Sequence, residues 1–322
     1  MNILSILADI EHVDPEVYDR LDSRRAVFRH LTGLGQKLTA AALPLAVGAV
    51  FNKAYAQSPV GASVAEVLNF ALRLEYLEAY FYALRPLPGI FSVANVNPDT
   101  MALIATDERN HVQFLRTVIG SLGATPVADP GASTFDFTAG KGSNAGDFSG
   151  YNRNVTIFLT LAQLFEDLGV RAYKGAAPLL ATNKAVLTAA LNIHSVEARH
   201  ASQIRTLRRG LAFGSATPSQ VTPVAPYTTV PKSWISGTDN GGPVPTYSAA
   251  IYNAGNNTGA TASISFPAEN NTVQGGINLA NLPGASAFPA SAFSEAFDEG
   301  LDVGTVSAIA KTFVVATSSF FS

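Results

Sequence analysis

Apolar side chains recur at helical spacing along four stretches of the chain, and clusters of breakers separate them. The first stretch, roughly Gly61 to Leu84, contains LNFALRLEYLEAYFYAL and stops at Arg85-Pro86-Leu87-Pro88-Gly89, where the prolines remove backbone donors. The second opens after Asn97-Pro98-Asp99 and runs to about Leu122, with Gly123 as its end signal. Its short link to the first helix predicts an antiparallel hairpin. Residues 124–150 are rich in Gly, Ser and Asp, and their length predicts a crossover along the bundle before a second hairpin. That hairpin is read as helices over about Tyr151 to Lys174 and Lys184 to Leu211. The fold class expected is mainly α: a four-helix bundle with a long crossover.

Beyond Phe213 the pattern fades into Pro, Gly, Ser, Thr and Asn, and Thr261 to Phe266 alternates too weakly to name a β fold. Helical period returns only at Ser291 to Thr317, which reads as one or two pieces docking on the bundle. With few apolar repeats for a core of its own, this stretch is expected as a Pro/Gly/Asn-rich, partly irregular C-terminal extension. The expected organisation is therefore a leading segment (1–56), the bundle (57–212) and the extension (213–322).

Composition narrows the function classes. The chain has 322 residues, 47% of them apolar and 14% charged, a low charge content for a cytosolic protein. A net charge of −3 makes neither nucleic acid nor an anionic membrane an obvious partner. No cysteine is present, which excludes disulfides and thiolate metal ligands. Near the start, Ser23-Arg24-Arg25-Ala26-Val27-Phe28, a weakly apolar run from Leu31 to Phe51 and Ala54-Tyr55-Ala56 read as a twin-arginine-type export signal. The chain would then start near Gln57 and act in the periplasm or cell envelope. The run is interrupted by Gly and Thr and contains Lys37, so no stable membrane span is expected in the mature chain.

The chemistry lies in a repeated spacing. Glu108 and His111 form one Glu-x-x-His pair, and Glu197 and His200 form another; on a helix, residues three apart lie close on one face and can grip one metal ion. Each pair is preceded one helix earlier by an acid set among Phe, Leu and Tyr, Glu75 in the first half and Glu166 in the second. A lone glutamate on a helix is usually a solvated charge, but a carboxylate on an apolar face is costly unless a cation neutralises it. Seven residues beyond each acid stands a tyrosine, Tyr82 and Tyr173, two turns along the same face. Glu78 is the rival ligand on the first helix; Glu75 is preferred because only the Glu75 to Tyr82 spacing repeats as Glu166 to Tyr173. His194, one turn before Glu197, is a weaker candidate. Asp167 reads as a supporting or solvated acid, and Arg109 and Arg199 as surface charges. Imidazole and carboxylate together suit iron or manganese and do not exclude zinc.

These residues, with the phrases LNFALRLEYLEAYFY, ATDERNHVQFLR and HSVEARHASQIR, resemble the bacterial ferritin-like domain proteins, relatives of rubrerythrin, manganese catalase and the plant desiccation-related proteins. The likeness covers roughly residues 60–212, and FSEAFDEGLDVGTVSAIAKTF resembles the tail of that family. The resemblance implies a ferritin-like four-helix bundle holding two iron or manganese ions. Glu108 and Glu197 would bridge them, Glu75 and Glu166 would be terminal ligands, and His111 and His200 would complete one ion each. Tyr82 and Tyr173 are the catalytic candidates, bonded to ligand carboxylates or carrying a radical, with ordinary bundle packing as the alternative. The implied partners are small oxidants, peroxide or O2, in oxidative-stress defence. A non-catalytic stress or scaffold protein of the envelope is the alternative. The crossover and tail would crowd a storage cage, so a monomer or small homo-oligomer is expected.

Overall fold

The computed structural model describes residues 63–83, 98–213, 231–237, 245–256 and 264–321. The expected export signal lies outside them. Among the described residues the fold is mainly helical, as the apolar periodicity predicts. The bundle helices are α1 (Val64–Ala83), α2 (Pro98–Ser121), α3 (Val155–Ala176) and α4 (Lys184–Phe213). α1 packs along α2 and α3 along α4, so each sequence-adjacent pair forms a hairpin. No described helix is long and apolar enough to cross a membrane.

Local chemistry sets the helix ends. Ser63 Oγ accepts from the Glu66 amide (3.2 Å) while Glu66 Oε2 accepts from the Ser63 amide (2.6 Å), a reciprocal capping box at the start of α1. Asn154 caps α3 by accepting from the amides of Thr156 (2.9 Å) and Ile157 (3.3 Å). α2 ends at Ser121, two residues before Gly123, whose φ of 74° is the left-handed conformation glycine adopts at low cost.

The crossover is ordered by one carboxylate. Asp136 accepts from Thr138 N (3.0 Å) and Thr138 Oγ (2.6 Å) on one oxygen, and from Gly142 N (2.6 Å) and Asn144 N (3.2 Å) on the other. It is pinned to the C-terminal segment, because the Asp136 amide donates to Phe313 O (2.8 Å) and Val315 N donates to Thr134 O (3.0 Å). Between hairpins and crossover lies an aromatic core in which Phe81 stacks on Phe158, centroids 4.7 Å apart, with Phe165 edge-on at 5.0 Å.

The extension is more helical than its composition suggests. It contains α5 (Pro245–Tyr252), a two-residue antiparallel pair β1 (Val273–Gln274) and β2 (Ile277–Asn278), α6 (Ser291–Glu295) and α7 (Val303–Ala310). α6 and α7 fall within the stretch read as helical; α5 lies where little helical period is visible and was not expected. Eight residues give too few turns for a periodicity to stand out.

The extension covers the outer side of α3. Arg171, fully buried on α3, donates to the carbonyls of Asn253 (2.9 Å), Pro267 (2.9 Å), Glu299 (3.1 Å) and Gly300 (3.1 Å) and to that of Ile251, and pairs with Glu269 at 2.8 Å. Gly175 lets the incoming chain touch the helix backbone: a methyl group there would run into the carbonyl of Leu301. Asp167 is not solvated and lies outside the cluster of repeated acids and histidines. It is buried, pairs with Arg205, and accepts from the Tyr252 hydroxyl at 2.6 Å. Covered on both sides, α3 is buried along nearly its whole length.

Candidate metal centre

Four helices bring the repeated residues to one place. Glu75 faces inward from α1, Glu108 and His111 from α2, Glu166 from α3, and Glu197 and His200 from α4; the four acids are 0% exposed. Their atoms form two groups, each with ligand atoms close enough to share one ion. One is Glu75, Glu108, His111 and Glu197, and the other is Glu108, Glu166, Glu197 and His200. Glu108 and Glu197 belong to both. His111 Nδ1 lies 3.1 Å from Glu75 Oε2, 3.2 Å from Glu108 Oε2 and 3.3 Å from Glu197 Oε1. His200 presents the same atom, with Nδ1 2.8 Å from Glu108 Oε1 and 3.4 Å from Glu166 Oε2.

The tyrosines cross between the halves. Tyr82 on α1 donates to Glu166 Oε1 on α3, and Tyr173 on α3 donates to Glu75 Oε1 on α1. Each phenol occupies one carboxylate oxygen and leaves the other, Oε2, facing an imidazole. Burial first, and then the adjoining carboxylates, push both phenols well above their ordinary range, so they remain protonated donors at neutral pH.

A metal fits the donor set. Glu108 Oε1, Glu166 Oε2, both oxygens of Glu197 and His200 Nδ1 are buried and complete no hydrogen bond among the described residues. Converging lone pairs left this way are costly unless a cation takes them up. The protein's own charges tell the same story. Burial pushes Glu108 up to about 7 despite the opposing pull of His111 and His200, and burial plus the neighbouring acids push Glu197 well up. Burial opposes a charge on His200, yet Glu166 and Glu108 push it up to about 12, and Glu75 and its neighbours likewise push His111 up. Without a cation the cluster must hold protons to limit its own repulsion.

Residues 63–209 match the family model for the ferritin-like domain. They are a ferritin-like domain. Compared with curated proteins and with solved structures, the chain gives no match.

In the ferritin-like domain the remaining candidates separate clearly. Glu78 is buried at 3% exposure but belongs to neither group. His194 stands apart from the cluster; its Nε2 is buried without a hydrogen bond among the described residues, and burial lowers its pKa. Arg109 and Arg199 are exposed, as expected of surface charges, and Arg109 donates to Thr106 Oγ at 3.0 Å. The sequence reading overlooked Asp107. Its Oδ2 lies 3.2 Å from His200 Nε2, so it can fix the ring with Nδ1 turned inward. Its position next to Glu108 was the only signal, and an acid there reads equally well as solvated.

Proposed function

We propose that the ferritin-like domain holds two ions, iron or manganese, and serves as an oxidoreductase centre acting on peroxide or O2. The observation that carries this reading is the pair of four-residue groups sharing Glu108 and Glu197, each completed by one inward Nδ1. Glu108 and Glu197 would contact both ions, Glu75 and His111 one, and Glu166 and His200 the other. Such a pair supplies redox chemistry and a place for a small oxidant to bind. The chain's part is positional: Tyr173 and Tyr82 hold the Glu75 and Glu166 carboxylates, Asp107 orients His200, and the apolar bundle around the site excludes bulk water. The twin-arginine-type pattern of residues 1–56 supports export and a role in oxidative-stress defence at the cell envelope.

The test is metal analysis of the full chain purified from its native compartment, beside the Glu108→Ala/Glu197→Ala variant, with peroxide consumption followed on both. About two iron or manganese ions per chain, lost together with turnover in the variant, is the expected result. Two ions without turnover would leave a metal-binding scaffold, and no bound metal would sink the reading.

A further inference from the structure

In each half of the bundle the residue after the terminal acid is tied across its own hairpin. Glu75 is followed by Tyr76 and, 91 positions on, Glu166 by Asp167; five residues beyond His111 stands Arg116 and, 89 positions on, five beyond His200 stands Arg205. In the first half Arg116 on α2 donates to the Tyr76 hydroxyl on α1 at 2.6 Å. In the second half Arg205 on α4 grips Asp167 on α3 with two prongs, Nε to Oδ1 at 2.9 Å and Nη2 to Oδ2. The same two positions therefore join the helices of each hairpin just past its ligands.

The two clamps are unequal. Arg116 is exposed and bonds a neutral oxygen once, with Val127 O a longer second acceptor at 3.4 Å. Arg205 and Asp167 are both 0% exposed, and the extension seals them: Tyr252 on α5 donates to Asp167 Oδ2 at 2.6 Å, and Arg205 donates to Trp234 O at 3.2 Å. A two-pronged bond between opposite charges in a dry site is stronger and more directional than a single bond at the surface.

We propose that Arg116 and Arg205 are positioning residues of the metal centre, acting through Tyr76 and Asp167, and that the sealed clamp makes the Glu166/His200 position the better formed of the two. This rests on the two-ion reading above. Each clamp serves three of the four members of one group, Glu75, Glu108 and His111 in the first hairpin and Glu166, Glu197 and His200 in the second. Buried carboxylates repel one another and push apart the helices that carry them. A clamp about 1.4 turns beyond the histidine holds that spacing before any ion arrives, so binding there costs less rearrangement. The ion beside Glu166 and His200 is therefore bound first and more tightly. The extension, through Tyr252 and Trp234, is part of what makes it so.

The experiment is calorimetric titration of the metal-stripped full chain with Mn(II), comparing the unsubstituted protein with Tyr252→Phe, Arg205→Lys, Tyr76→Phe, His111→Ala and His200→Ala. The expected pattern is two unequal binding steps, the tighter abolished in His200→Ala and the weaker in His111→Ala. Tyr252→Phe and Arg205→Lys loosen the sealed clamp but keep its charges, so each should weaken the tighter step about 10- to 100-fold, as for loss of an outer-shell partner, and leave the weaker step unmoved. Tyr76→Phe should weaken only the weaker step. Circular dichroism of these three stripped chains should show unchanged helix content. Tyr252→Phe removes a single oxygen, so it tests the clamp even where Arg205→Lys does not fold. A clamp that served stability alone would lower resistance to urea and leave both steps in place; that result, or a shift of both steps together, overturns the inference while the two-ion reading stands. A tighter step that survives in His200→Ala overturns the ranking of the two positions. No binding by the unsubstituted chain overturns the two-ion reading and this inference with it.

Discussion

Tyr82 and Tyr173 each donate a hydrogen bond to a carboxylate of the opposite hairpin, so changing either residue acts on a candidate ligand across the bundle. Tyr82→Phe should free the Glu166 carboxylate and lower metal affinity about 10- to 100-fold with the helix content unchanged, measured by metal titration and circular dichroism. Protons and metal compete for the same atoms. Glu108, pushed up to about 7 by burial, must lose a proton before an ion can use it, so metal retention should fall as pH drops through about 7. Stability of the stripped protein should move the other way. Glu108 and His200 hold protons in the folded state above the pH at which they leave an unfolded chain, so the contribution they make is complete at low pH and is lost as pH rises, for Glu108 through about 7 and for His200 through about 12. Urea denaturation of chelated and loaded protein between pH 5 and pH 8, an interval chosen to bracket the Glu108 transition, should show slopes of opposite sign. The six ligand candidates were legible because helical spacing fixes which side chains share a face. Asp107 was not, since its role depends on what lies across a helix interface, which one strand of sequence does not display.

Between residue and molecule, the bundle helices follow their punctuation, and the structure places each within a few positions of where Pro, Asn and Gly mark its ends. The crossover and extension were legible only as composition. Their order comes from single polar side chains that tie distant segments together, Asp136 to its own loop and Arg171 to a run of tail carbonyls. Arg171→Met should therefore cost about 3–5 kcal/mol, because it removes the cation beside buried Glu269 and leaves that acid only the Glu299 amide. Glu269 already sits at about 8, raised by burial against the pull of Arg171, which shows how costly its charge is there. Urea unfolding gives the energy, and limited proteolysis should cut first within residues 245–256 and 264–301, the segments that Arg171 ties to α3.

At the scale of the molecule, each group that could hold an ion takes residues from both hairpins: Glu197 joins Glu75, Glu108 and His111, and Glu108 joins Glu166, Glu197 and His200. Neither hairpin carries a full set. This interleaving means that bound metal would report on tertiary docking rather than on helix formation. Chelation should leave the helical signal of the folded chain nearly intact while amide exchange quickens along the contact between the two hairpins. The ion pair would thus work as a latch between two halves that the repeat in the sequence writes out separately.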